Sequence, residues 1–255
     1  LGQSNNRLEG VSDPVVLVAH ELTPSQAAAM DRTKVLGIAT DAGGRTSHTS
    51  IVARALQIPA VVGCHELTSV IQDGDRIIVD GETGKVVIRP SQEEIETYRT
   101  LQQEQLVRVA SYRELVDLDS VTQDGTEIEL LGNIEFPDEV TTVLENGGNG
   151  VGLYRTEFLW LTNDQSPTEQ EQFDCYRRTI ELLDGRPLTI RTFDLGADKY
   201  TQQRSEEPER NPFLGCRSIR YCLQNIPMFK TQLRAIMRAS AFGTMKIMFP
   251  LVSNV

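Results

Sequence analysis

The residues best suited to chemistry sit in one short stretch, GGRTSHTS at 43–50. The chain has three histidines, and only His48 lies among glycines and hydroxyl residues. Gly43 and Gly44 let the backbone adopt φ > 0 and pass close to a ligand. The apolar spacing that follows predicts a helix over 46–57, which puts His48 in its first turn. A helix start offers unpaired N–H groups and the positive end of a dipole, so it favours a phosphoryl group. The same field disfavours imidazolium and keeps His48 neutral, the form with a nucleophilic ring nitrogen. Arg45 completes the loop, and Thr46, Ser47 and Thr49 could orient the ring or bond phosphate oxygens. The competing reading is a turn that caps a helix and happens to hold a structural histidine. His20 and His65 each follow an apolar strand and lack such neighbours. No HxH, HExxH or His/Cys spacing points to a metal site in this chain.

Arginine supplies the second constellation. Arg155 and Arg191 each end a strand-like run and each precede a threonine, in LYRTEF and TIRTFD. They lie 36 residues apart, near the length of one βα unit, so both would project from the same mouth of a barrel. Two converging guanidiniums repel unless an anion lies between them, and bidentate recognition of phosphate or carboxylate is the natural role. Arg217 and Lys199 could complete a cationic cup. The alternative is that each arginine pairs with a nearby acid such as Glu157 or Asp194.

Positioning these groups requires an α/β framework. Strands are predicted at 15–19, 35–40 and 60–64, with a capping box of Thr23, Pro24 and Gln26 opening a short helix. Residues 75–90 alternate about a glycine-rich turn and read as a hairpin. Within it GETGK imitates a P-loop, but its spacing is short and it joins two strands. Ser91 and Glu94 cap a polar helix running to about Asp117, whose narrow apolar stripe suits a connector. Beyond Val121, strands are predicted at 127–134, 150–156, 188–194 and 245–250. A helix over 166–183 is opened by Ser166, Pro167 and Glu169. Such repeated βα units suggest a parallel sheet or an incomplete (β/α)₈ barrel. The glycines of GGNGVG at 147–152 have the wrong spacing and placement for a dinucleotide loop.

Composition narrows the classes. The 255 residues carry a net charge of −11, which argues against a general nucleic-acid or anionic-membrane surface. No apolar run approaches the roughly 20 residues of a membrane helix. Cys64, Cys175, Cys216 and Cys222 form no paired framework and read as reduced cytosolic thiols. The polar start without Met and the end just past a strand-like run read as cuts from a longer chain.

Five motifs in order carry a resemblance. TDAGGRTSHTSIVARALQIPAVVG (40–63) resembles the phosphohistidine motif of the enzymes that use phosphoenolpyruvate (PEP). Together with GVGLYRTEFL, RTFDLGADK, NPFLGCRSIR and RASAFGTMKIMFP it resembles the Enzyme I family of the bacterial PEP:sugar phosphotransferase system, nearly colinearly from Val15 onward. The resemblance implies a phosphohistidine swivel domain over 1–90, a linker helix over 91–120 and the first part of a PEP-binding barrel over 121–255. It implies that His48 takes the phosphoryl group of PEP and passes it to the phosphocarrier protein HPr. It also implies that Arg155 and Arg191 bind PEP, with Arg217 nearby. Mg²⁺ ligands and a cysteine proton donor are expected beyond residue 255, so the chain alone is expected to be inactive with PEP. A cytoplasmic homodimer is implied for the intact protein. His20 and Cys216 depart from the family pattern, which commonly has an acid and a tryptophan there. Arg45 favours Enzyme I over the pyruvate phosphate dikinases and PEP synthases, which usually have Met. A nitrogen-branch paralogue and a non-catalytic regulatory relative remain as alternatives.

Overall fold

The computed structural model describes residues 13–22, 26, 30, 33–44, 47–55, 57–161, 166–194 and 215–253. The expected Thr23 cap falls outside these residues, as do Arg45, Thr46 and Lys199. The chain divides into two compact units, Leu1–Val109 and Ala110–Val255. Among the described residues, no helix is long and apolar enough to cross a membrane.

In the first unit, strands β1 (Val15–Ala19), β2 (Val35–Thr40) and β3 (Ala60–Val62) form a parallel sheet in that order. β2 is central, and its Ile38 and Ala39 are fully buried. Helix α1 (His48–Ala55) connects β2 to β3. A one-turn helix α2 (Leu67–Val70) follows β3 and buries Leu67. Strands β4 (Ile77–Asp80) and β5 (Lys85–Ile88) form the expected antiparallel hairpin. Asp80 ties the turn by accepting the Glu82 and Thr83 amides, each at 3.0 Å. Helix α3 (Gln92–Tyr112) is opened by the predicted box: Glu94 N–H donates to Ser91 Oγ while Ser91 N–H donates to Glu94 Oε2. It buries no residue, as its polar composition dictates. It ends five residues before the predicted Asp117, tightening into a 3₁₀ turn at Arg113–Leu115.

The second unit holds four parallel strands, β6 (Leu131–Ile134), β7 (Gly150–Arg155), β8 (Leu188–Arg191) and β9 (Met245–Met248), adjacent in chain order. Sequential parallel order with intervening helices is the pattern of the opening half of a (β/α)₈ barrel. Helices α4 (Glu139–Glu145), α5 (Phe158–Leu161), α6 (Glu169–Leu183), α7 (Ile219–Gln224) and α8 (Ile226–Ala239) lie between the strands in sequence. Tyr154, Ile190, Tyr176, Ile180 and Ile236 form the core between the sheet and the helices.

Two sequence expectations need correction here. Residues 127–130 are not strand; Ile128 and Leu130 are 44% and 46% exposed, and pairing is limited to an isolated Val121–Glu127 bridge. The cap of α6 is Thr168 with Glu171, not Ser166 with Glu169. The two boxes overlap in sequence; with Thr168 as the cap, Pro167 stays outside the helix and its carbonyl accepts the side-chain amide of buried Gln172. Thr168→Ala should therefore cost about 1 kcal/mol in urea unfolding. An unchanged midpoint would show that the cap contributes nothing.

Candidate active site

In the first unit, the loop after β2 is built to reach a helix start in few residues. Gly43 has φ +108, and a Cβ there would lie 3.2 Å from Ser47 Oγ. Gly63 has φ +77, and its missing side chain lets the exit of β3 pass the Gly43 carbonyl. Gly44 borders open space instead. Ser47 N–H donates to the Gly44 carbonyl at 2.9 Å, and the Ser50 amide donates to Ser47 Oγ at 3.3 Å. The Ser50 hydroxyl closes the turn onto the Gly44 carbonyl at 2.8 Å. α1 then begins at His48, so the backbone places this residue where the dipole argument requires it. The hydroxyls are less available than the sequence suggested. Ser47 acts as a cap, and Thr49 is buried with its Oγ1 directed at the Leu22 carbonyl, 3.4 Å away.

Asp41, which sequence reasoning passed over, fastens this loop. Its carboxylate is buried and accepts the Thr68 amide at 3.1 Å and the Thr68 hydroxyl. The Thr68 hydroxyl bond holds the carboxyl below the ordinary carboxylate range. Asp41 N–H donates to the Ala19 carbonyl, and its own carbonyl accepts the His65 amide. His20 Nδ1 lies 3.5 Å from Asp41 Oδ2. One residue thus joins the exits of β1, β2 and β3, and all three histidines lie at the C-terminal edge of the sheet, where open α/β sheets bind ligands. Only the DAGG context marked Asp41 in the sequence.

In the second unit, Arg155 and Arg191 are register partners at the C-terminal ends of adjacent strands. Each arginine meets an acid. Arg155 pairs with Glu135 at 2.5 Å, Arg191 with Glu157 and Asp194 at 2.9 Å each, and Arg217 with Asp194 at 3.3 Å. Acid pairing, the alternative raised from sequence, is therefore the arrangement present, with Glu157 and Asp194 among the partners and Glu135 reaching Arg155 from the end of β6. It does not disperse the arginines; the shared Asp194 gathers Arg191 and Arg217 into one network. Burial pushes the Glu157 carboxyl up, opposed by the Arg191 charge. Beneath the network, Gln232 of α8 accepts the Phe193 amide at 3.0 Å and donates to Thr156 Oγ1 at 3.0 Å. Thr156 in turn donates to the Arg191 carbonyl at 3.0 Å. Gln232 lies more than a βα unit away in sequence, and no local pattern could have marked it.

Among the described residues, no group of three or more His, Cys, Asp or Glu could hold a metal ion.

A family profile described as PEP-utilising enzyme, mobile domain, matches residues 11–84. A second, PEP-utilising enzyme, PEP-binding domain, matches residues 109–255. Curated relatives named phosphoenolpyruvate-protein phosphotransferase are 49% identical in Bacillus subtilis, 46% in Priestia megaterium and 44% in Staphylococcus aureus, each over 96% of this chain. The chain spans 43% of the length of each of these relatives. A solution NMR structure of Enzyme I is 47% identical, covering 38% of this chain and 40% of that one, with a TM-score of 0.36. The chain belongs to the family of PEP-utilising enzymes.

Proposed function

We propose that the chain forms part of a phosphoenolpyruvate-protein phosphotransferase in which His48 carries the phosphoryl group. The observation that carries this reading is the start of α1 at His48, directly after the loop that Gly43 turns and Asp41 fastens. The names of the relatives support it. In the reaction, a neutral ring nitrogen of His48 attacks phosphorus, a P–N bond forms and the P–O bond to enolpyruvate breaks. The departing enolate then takes up a proton to give pyruvate. Arg155 and Arg191 hold the anionic groups of PEP and offset charge on the transferring phosphoryl oxygens, with Arg217 and Lys199 as further cations. Residues 1–90 serve as the mobile phosphohistidine domain, 91–120 as the linker helix and 121–255 as the PEP-binding part. HPr is the acceptor, and the intact protein is a cytoplasmic homodimer using Mg²⁺.

The test uses the protein at its natural full length, incubated with labelled PEP and Mg²⁺ and, in parallel, with labelled ATP. The expected product is an acid-labile, base-stable phosphoramidate formed from PEP alone. Label acquired from ATP and not from PEP would overturn the proposal.

A further inference from the structure

The arginine network raises a question of charge. Arg155, Arg191 and Arg217 each already have a carboxylate partner in Glu135, Glu157 and Asp194. A phosphate or carboxylate arriving there brings negative charge to a place that holds its own counter-ions. A carboxylate that leaves, or one that loses its charge, would offset it. We propose that binding of an anion to the Arg191 cluster is coupled to uptake of a proton by Glu157. This deepens the reading of Arg191 as a PEP-binding residue and rests on it.

Three observations select Glu157. Its side chain is the least exposed of the three acids, at 7% against 12% for Glu135 and 13% for Asp194, so it gains least from water when charged. The bonds from Arg191 and from the Asp194 amide both fall on Oε1, and the carboxyl also accepts its own backbone amide. A proton on Oε2 therefore neutralises the group while both bonds remain. Arg191 Nε is buried with no acceptor among the described residues, so the guanidinium keeps one donor unused while both carboxylates stay bound.

The surrounding groups do not compete for the proton. Arg191 and Asp194 face Glu157 from the end of β8, with Arg217 behind Asp194. Tyr176 of α6 is held well above its usual range by burial. Cys222 of α7, near Asp194, is pushed up to about 12 by burial. Both stay neutral near pH 7, while burial already favours the protonated form of Glu157 and Asp194 adds to it.

Calorimetric titration of the full-length protein with sulfate, whose charge is constant near neutral pH, tests the coupling. Two buffers at one pH with different ionisation enthalpies give the proton count. Uptake of about one proton per sulfate is expected, and affinity should fall as pH rises, because the bound state holds more protons. Glu157→Gln mimics the neutral acid, so it should abolish the uptake and bind sulfate at neutral pH at least as tightly as the wild type. A merely structural brace predicts weaker binding with the uptake unchanged, and that result would overturn the proposal. So would wild-type binding with no proton uptake, or no sulfate binding at all; neither depends on the variant folding. Proton-coupled sulfate binding without labelling by PEP would remove the functional reading and leave this inference standing.

Discussion

Full-length protein carrying His48→Ala will take up no phosphoryl group from PEP while keeping its fold. The expected loss is complete because the substitution removes both ring nitrogens of His48, one of which forms the P–N bond in the proposed reaction. The fold should survive because the described bonds of the cap are made by other residues. The turn before α1 is held by Ser47, Ser50 and the Gly44 carbonyl, and the loop behind it by Asp41 and Thr68. Alanine is also the better helix former, so α1 should be no weaker. His20→Gln and His65→Gln are the controls. Both residues lie at the same sheet edge and reach Asp41, His20 through its side chain and His65 through its amide. Both variants should still be labelled. Labelling of His48→Ala at any measurable stoichiometry, with the same acid lability, would move the phosphorylated residue elsewhere.

How far the sequence foretold this depends on how local each cause is. Strands such as VVLVA and VLGIAT are short apolar runs that form where expected, VLGIAT largely buried at the centre of the sheet and VVLVA only half-buried at its edge. The Ser91–Glu94 cap involves two residues three apart and was equally legible. EIEL at 127–130 has the alternation of a strand, but its Ile128 and Leu130 stay exposed, because alternation describes a half-buried surface only where something covers it. The capping pattern alone does not separate Thr168 from Ser166, and the bond from buried Gln172 to the Pro167 carbonyl lies outside that pattern. At the arginine site, the strand-end placement of Arg155 and Arg191 was visible. Their counter-ions were only partly so. Glu157 and Asp194 lie close in sequence to the arginines, whereas Glu135 and Gln232 reach the network from other βα units. The histidine loop shows the same division. Its glycines and His48 are contiguous, but Asp41 gains its role from Thr68, 27 residues away.

Replacing Arg191 with methionine should produce two losses that can be separated. Arg191 lies between two carboxylates, and its own side chain is only 18% exposed. Methionine keeps most of its volume but leaves Glu157 and Asp194 facing each other without that charge. Removing one partner of a largely buried ion pair costs about 3 kcal/mol in favourable cases, which urea unfolding would detect. The rate of labelling by PEP should fall further than stability alone explains, by roughly 10²–10³-fold, the usual cost of deleting one donor that stabilises transition-state charge. Adding Glu157→Gln distinguishes the two effects. With one buried charge removed, the double variant should recover much of the stability, since the cost of the single change is largely that of an uncompensated carboxylate. It should recover none of the rate, because the guanidinium that met the anion is still missing. If Arg191→Met keeps a labelling rate within about twofold of wild type, Arg191 is a structural counter-ion to Glu157 and Asp194, and PEP is held by other groups.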